Sequence, residues 1–237
     1  MKVREEALEV LADGAWRSLA RRAGGCVTTR PEWTRVFSRY RSVGPVRVLT
    51  IRDGGGLAAV LPIESKRHLR SDVWGLSDEH VPEGPLLLDA ARMSAAVSEL
   101  LGWSTTLRHR GWRLVLPRLD GADPTMAAFL ARLKVTHSAV LSPQPEGFVV
   151  DVRCGFDEFV RGRSKAFRTA IRQARSKARR YSIGVSTVRT EGEFEAILPV
   201  LRELSSSSWQ GLRRAGTFAA GPAVGFYEGI CREFAAS

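Results

Sequence analysis

Cysteine is scarce in this chain of 237 residues: Cys26, Cys154 and Cys231 stand far apart, one is left over after any pairing, and no CxxC or CxxxC spacing occurs. That argues against a disulfide framework or a zinc knuckle and fits a reducing compartment. Histidine is as sparse. His68, His80, His109 and His137 share no ligand spacing with one another or with a cysteine, so no metal site is expected. Long apolar runs are missing too, the longest being short stretches such as Leu57–Leu61 and Leu86–Leu88, which excludes a membrane-spanning helix. The opening MKVREEALEVLADGAWRSLARR interrupts every apolar stretch with acids or arginines and does not read as a secretion signal. A cytoplasmic protein without a membrane partner is the resulting expectation. Phosphate-binding glycine loops are lacking as well: Gly54, Gly55 and Gly56 join two strands instead of opening a helix, and Gly211, Gly216 and Gly221 have no Lys-Ser/Thr ending, so ATP or NAD chemistry has no support. Acid is in deficit, with 25 Asp and Glu against 36 Lys and Arg and a net charge of +11, which points to acidic partners and leaves the fold open.

The chain nevertheless holds 44% hydrophobic residues, enough for a core. Leu8, Leu11, Ala12, Ala15, Trp16, Leu19 and Ala23 recur at steps of three and four and predict an amphipathic helix over residues 5–23. A second helix begins at Thr29, with Pro31 in its first turn and Trp33, Val36, Phe37 and Tyr40 on its apolar side. Strands 46–52 and 57–63, joined by Asp53-Gly54-Gly55-Gly56 and closed by a turn near Pro62, read as a hairpin. Further strands are expected at 73–76, 86–88, 112–116 and 138–141, with helices at 93–103 and 125–134. This alternation predicts an α/β or α+β domain over residues 1–145. A second unit, 146–237, opens with a strand at 148–152 and a long helix at 156–181, then a strand at 183–188 and helices from 191 to 204 and from 226 to 235. So few strands leave sheet edges to be covered, either by one sheet shared between the halves or by another polypeptide.

The strongest local signal is the run from Arg161 to Arg180, nine positive charges in twenty residues with no acid among them. On a helix, Arg161, Lys165, Arg168, Arg172, Arg175 and Arg179 form a stripe beside the apolar face. Such a stripe suits a phosphodiester backbone, the phosphates of coenzyme A or an acidic carrier-protein helix; the plainer alternative is a solvated arginine face. His80 lies in Ser77-Asp78-Glu79-His80-Val81-Pro82-Glu83, where an imidazole beside carboxylates serves as a general base or the loop is simply wet. Trp209, after four serines, either walls a substrate cleft with Ser208 and Gln210 as hydrogen-bonding groups or caps the core. Trp16 and Trp33 read as core, and the cysteines as inert buried thiols.

Thr29-Arg30-Pro31-Glu32-Trp33, the Val46–Pro62 hairpin, Phe156-Asp157-Glu158-Phe159 leading into Arg163-Ser164-Lys165, Ser208-Trp209-Gln210-Gly211 and Phe226-Tyr227, in this order, resemble the bimodular acyltransferases of the GNAT superfamily, in the CelD-like branch related to FemAB proteins. The resemblance implies a GNAT-like module followed by a partial second one. It also implies transfer of an acyl group from an acyl-CoA or carrier-protein thioester, or in FemAB relatives an aminoacyl group from tRNA, to an amine, without a tightly bound cofactor. It places Phe167, Arg168 and Arg172 on the basic helix, Trp209 on an SWK-like motif with Gln210 at the lysine position, and Asp78–His80 in the segment that contributes to the cleft. The chain is shorter than such enzymes and lacks an Arg/Gln-x-x-Gly-x-Gly/Ala pattern. The expectation is therefore a truncated or split enzyme, a subunit completed by a partner or by a second copy, or a binder without catalysis. The rival expectation is a basic module that binds RNA or an acidic protein.

Overall fold

The computed structural model describes residues 1–42, 44–68, 71–74, 86–106, 112–116, 119, 123–136, 138, 140, 155–208, 218 and 223–236. It divides the chain into a larger unit, Met1–Leu141 together with Thr190–Ser237, and a smaller one, Ser142–Arg189.

The larger unit is mixed α/β. It is built on the hairpin of β2 (Val46–Asp53) and β3 (Gly56–His68), with β1 (Val3–Ala7) antiparallel to β2 on the other side. Gly54 and Gly55 carry the turn at φ 56° and 89°, the paired positive angles that a two-residue hairpin of this twist requires. Beyond the hairpin, β3 pairs antiparallel with the short β5 (Leu87–Leu88) at residues 59–60 and with β4 (Ser71–Trp74) at residues 65–68; β4 then pairs parallel with β6 (Trp112–Leu114). The strand expected to close near Pro62 thus runs on to His68. Pro62 falls between the stretches that hold β5 and β4, where a missing N–H costs no ladder bond on that side.

Both faces of the hairpin are buried, which its nearly continuous apolar sequence anticipates. On one face Leu49, Ile51, Ala59, Leu61 and Ile63 meet Ala96, Val97, Leu100 and Leu101 of α3 (Met93–Thr106) and Met126 and Phe129 of α4 (Pro124–Thr136). On the other, Val48, Leu57, Val60 and Leu87 meet Trp16, Leu19 and Ala20 of α1 (Asp13–Arg22). Trp16 also donates its indole N–H to the Thr29 carbonyl at 2.9 Å, so its one polar atom is satisfied in the core. The helix expected over 5–23 is a strand followed by a shorter helix. Val3 to Ala7 pair residue by residue with Ile51 to Arg47, while Leu8 and Leu11, whose spacing suggested helix, are buried in the connection to α1.

Two C-terminal helices complete this unit. The α2 helix (Pro31–Tyr40) begins with proline at its first position, where the ring costs no hydrogen bond. Val36 and Phe37 of α2, Val46 of β2 and Phe226 of the last helix form a third cluster, with the Phe226 ring edge-on to Trp33 at 5.4 Å. That last helix spans Ala223–Ala235, here α8, and is preceded in this unit by Glu191–Ser207, which is α7; α5 and α6 lie in the smaller unit. Where the sequence suggests a boundary at residue 145, the chain leaves the larger unit at 142 and re-enters it at 190. Arg202 of α7 grips the buried Glu228 of α8 through two near-parallel bonds of 2.8 and 2.9 Å, a paired geometry that keeps a carboxylate stable away from water. Thr190 and Glu193 start α7 with a reciprocal capping box.

The smaller unit shows α5 (Phe156–Arg161) and α6 (Lys165–Arg180) in place of one continuous helix. Gly162 closes α5 and Ser164 caps α6, its hydroxyl accepting from the Phe167 N–H at 3.3 Å. Residues 183–188 form no strand. Of the cysteines, Cys26 is exposed, against the expectation of burial, and Cys231 is half-buried with its thiol pushed up by that burial; Cys154 lies outside the described residues.

The approach of α8 to α2 depends on glycine. A Cβ at Gly229 would lie 2.8 Å from the Tyr40 ring and 2.9 Å from Val36 Cγ1, and one at Gly225 would meet only the Tyr40 ring, at 2.9 Å. Val36 is fully buried and cannot yield, whereas Tyr40 is partly exposed and its ring swings aside. Gly229→Ala is expected to lower stability by about 1–2 kcal/mol in urea titrations, the overpacking outweighing the gain in helix propensity, and Gly225→Ala to cost distinctly less.

Candidate functional site

Three places bear on function: the basic helical pair, the start of α3, and the edge of the sheet where strand direction changes.

The helical pair is held by its own charges and rings. Arg163 stacks over Phe159 at 4.1 Å, and Phe159 meets Phe167 edge-on at 6.2 Å. Arg175 covers Phe156 at 5.2 Å and reaches Asp157 at 3.3 Å. Arg168 donates to the carbonyls of Arg161 and Arg163, at 3.3 and 2.5 Å, and so caps the C-terminal end of α5. The expected anion-binding stripe therefore divides in two. Arg168 and Arg175 serve the hairpin itself. Arg161 and Lys165 are exposed with no ion-pair partner among the described residues, and Arg172 makes one long contact to Thr169 Oγ1 at 3.3 Å. Together with Arg179, which is also exposed, these are the stripe residues left to meet an anion. The sequence missed this division because it depends on α5 folding back along α6, which a reading of one continuous helix does not contain.

The short 3-10 turn Ala90–Arg92 that leads into α3 is capped from within the chain. Helix N-termini attract anions, and here Asp89 supplies one. It is buried, it accepts from the Ala91 N–H at 3.1 Å, and it pairs with Arg92 at 2.8 Å and Arg22 at 3.4 Å. Burial pushes this carboxyl up, but the Ala91 N–H, Arg92 and Arg22 together outweigh it and hold it below the ordinary carboxylate range. The sequence carried a signal that could have found it: an acid directly after three leucines and just before a helix is a cap.

At the sheet edge, β1 to β4 are antiparallel and β4 to β6 parallel, with α3 in the connection between the parallel strands. Strand β4 ends at Trp74, and the next residues along the chain, 75–85, contain Asp78 and His80. Asp78, His80, Trp209 and Gln210 lie outside the described residues. Ser208 closes α7 and donates its hydroxyl to the Ser205 carbonyl at 2.7 Å, a local bond. Among the described residues no helix is long and apolar enough to cross a membrane. Comparison with protein-family models, with curated proteins and with solved structures returns no match.

The Asp89 cluster predicts an acid-labile element. A carboxyl whose folded pKa is depressed contributes stability that is present above its unfolded value, about 3.9, and is lost as pH falls through the folded value. The expected outcome is a wild-type chain that weakens below about pH 4 and an Asp89→Asn variant with a shallower dependence there. At neutral pH, Asp89→Ala should cost about 1–2 kcal/mol, the usual loss for a helix cap. Equilibrium unfolding across a pH series checks both.

Proposed function

We propose that the chain is an N-acyltransferase of the GNAT type, or a subunit of one, transferring an acyl group from an acyl-CoA or acyl-carrier-protein thioester to a small-molecule amine. The observation that supports this reading is the parallel pair of β4 and β6 with α3 in the connection between them. Ligands of α/β units bind beyond the carboxyl ends of parallel strands, and the residues that follow the carboxyl end of β4 include the two candidate bases, Asp78 and His80.

The chemistry needs few groups. The neutral amine attacks the thioester carbonyl carbon, a C–N bond forms, and the tetrahedral oxyanion is held by backbone N–H donors. His80 or Asp78 takes the proton from the attacking nitrogen. The C–S bond then breaks, and the departing thiolate receives that proton. Trp209 and Gln210 would line the acceptor cleft. Arg161, Lys165 and Arg172 supply positive charge for the donor, since the turn that leads into α3 is capped by Asp89. Arg168 and Arg175 leave the donor-binding set because their guanidinium groups are used within the hairpin. The same exposed charges favour one rival, a binding module for RNA or an acidic protein with no catalysis.

Release of free thiol from acyl-CoA or an acyl-carrier protein, assayed over a panel of amines, separates the two. His80→Ala or Asp78→Ala, whichever removes the base, is expected to lower kcat by about 10²–10⁴-fold with donor KM little changed. Wild-type turnover in both variants would remove these residues from the mechanism. Absence of thiol release from the unaltered chain with every donor and amine would leave the binding reading standing.

A further inference from the structure

The smaller unit has no core among its described residues. From Gly155 to Arg189 not one residue is buried, although the segment holds six large apolar side chains at 38% exposure or more: Phe156, Phe167, Tyr181, Ile183, Val185 and Val188. Val185 is 97% exposed and Ile183 65%. Ordering some 35 residues costs about 1–2 kcal/mol each in backbone entropy, and a helical pair joined by a few ring contacts offsets little of it. Apolar side chains left open to water in this number within one short segment mark an interaction surface.

Charge selects the occupant. The same segment carries ten Lys and Arg against two acids, Asp157 and Glu158. A second copy would bring like charge onto like charge. Coenzyme A gathers its phosphates at one end of the molecule, whereas Lys165, Arg172 and Arg179 are spread over about 21 Å of helix. Nucleic acid matches the charge and can stack on rings, but it has nothing to place against the aliphatic Ile183 and Val185. An acidic helix with apolar residues along one side matches both features, with carboxylates on the guanidinium stripe and apolar groups on Phe167, Ile183 and Val185.

We propose that α5, α6 and the segment to Val188 form a docking surface for an acidic, helix-presenting protein of the acyl-carrier class, so that the donor arrives bound to protein. The part concerning the donor rests on the acyl-transfer reading above; the docking does not.

The test titrates the full chain with an apo acyl carrier protein, which presents the acidic helices and no thioester, and in parallel with a duplex RNA and with coenzyme A at the same salt. The carrier protein is expected to bind at micromolar concentration and to resist displacement by millimolar coenzyme A. Lys165→Glu combined with Arg172→Glu should weaken it at least about tenfold. Both positions are exposed, Lys165 opens α6 where Glu is favoured, and Glu at the mid-helix position 172 is a good helix former, so the fold is retained. Ile183→Ser with Val185→Ser, at side chains with little packing to lose, should weaken the carrier protein several-fold and leave RNA affinity unchanged. No binding of the carrier protein, displacement by coenzyme A, tighter binding of RNA, or insensitivity to the charge reversal would each overturn the proposal. Docking without thiol release would leave the surface intact and remove the acyl-transfer reading. Thiol release from acyl-CoA without docking would do the reverse.

Discussion

Strand β3 is the constraint on which the larger unit depends. It is long enough to pair with β2 from Gly56 to Glu64, with β5 on the opposite side at Ala59 and Val60, and with β4 from Ser65 to its end, so a single backbone sets the register of three neighbours. Both of its faces are buried, one under α3 and α4 and the other under α1. A slip of one residue would exchange these two faces, and the side chains are not equivalent: Leu61 and Ile63 fill one layer, Val60 and Leu57 the other. The parallel β4–β6 pair hangs from the far end of this strand. The sheet edge that supports the functional reading is therefore positioned by packing made several residues away.

Charge is handled in opposite ways in the two units. In the larger one, cations are matched by carboxylates that the fold brings close. Arg17 meets the fully buried Glu32 at 2.5 Å, Arg35 bridges Asp13 and Glu233 at 2.7 and 3.2 Å, and Arg202 and Arg232 both reach Glu228. Such pairs fix the placement of α1, α2, α7 and α8; their net contribution to stability is small wherever one partner faces water. From Gly155 to Arg189 of the smaller unit the only carboxylates are those of Asp157 and Glu158. Arg175 has Asp157, and Arg168 uses carbonyl oxygens in place of a carboxylate. An arginine held by carbonyls keeps its full charge, so even the residues spent on building the hairpin add to the field around it.

Much of the larger unit was legible in the sequence. Asp53-Gly54-Gly55-Gly56 between apolar runs gave the hairpin, and Pro31 gave the start of α2, because both signals are local and act through backbone angles. The N-terminal strand was not legible. Val3 to Ala7 become a strand through pairing with residues 40 to 48 positions away, while the spacing of Leu8 and Leu11 mimics a helix. The break between α5 and α6 was visible in Gly162 and Ser164, a stop and a cap, and was overridden by a basic periodicity that runs through both helices. Of the candidate site, the sequence identified the charge but not its division, since whether Arg168 faces solvent or a carbonyl is a tertiary fact.

The contrast between the start of α3 and the surface of α6 carries the functional argument furthest. A helix N-terminus at a sheet is the cheapest place for a fold to hold a phosphate, and here Asp89 caps the turn that leads into α3 and pairs with Arg22 and Arg92. On the proposed reading, a chain that fills this position from within and displays uncompensated cations on α6 recognises anions on a helix surface and not at the sheet. Recognition on a convex helix differs in kind from recognition in a pocket. It cannot enclose a small molecule or strip it of water, so it gains affinity only from a partner with a large complementary face. The apolar side chains of the same segment enlarge such a face, and their exposure where none of the described residues 155–189 is buried is the physical reason to look for a macromolecule there before a small anion.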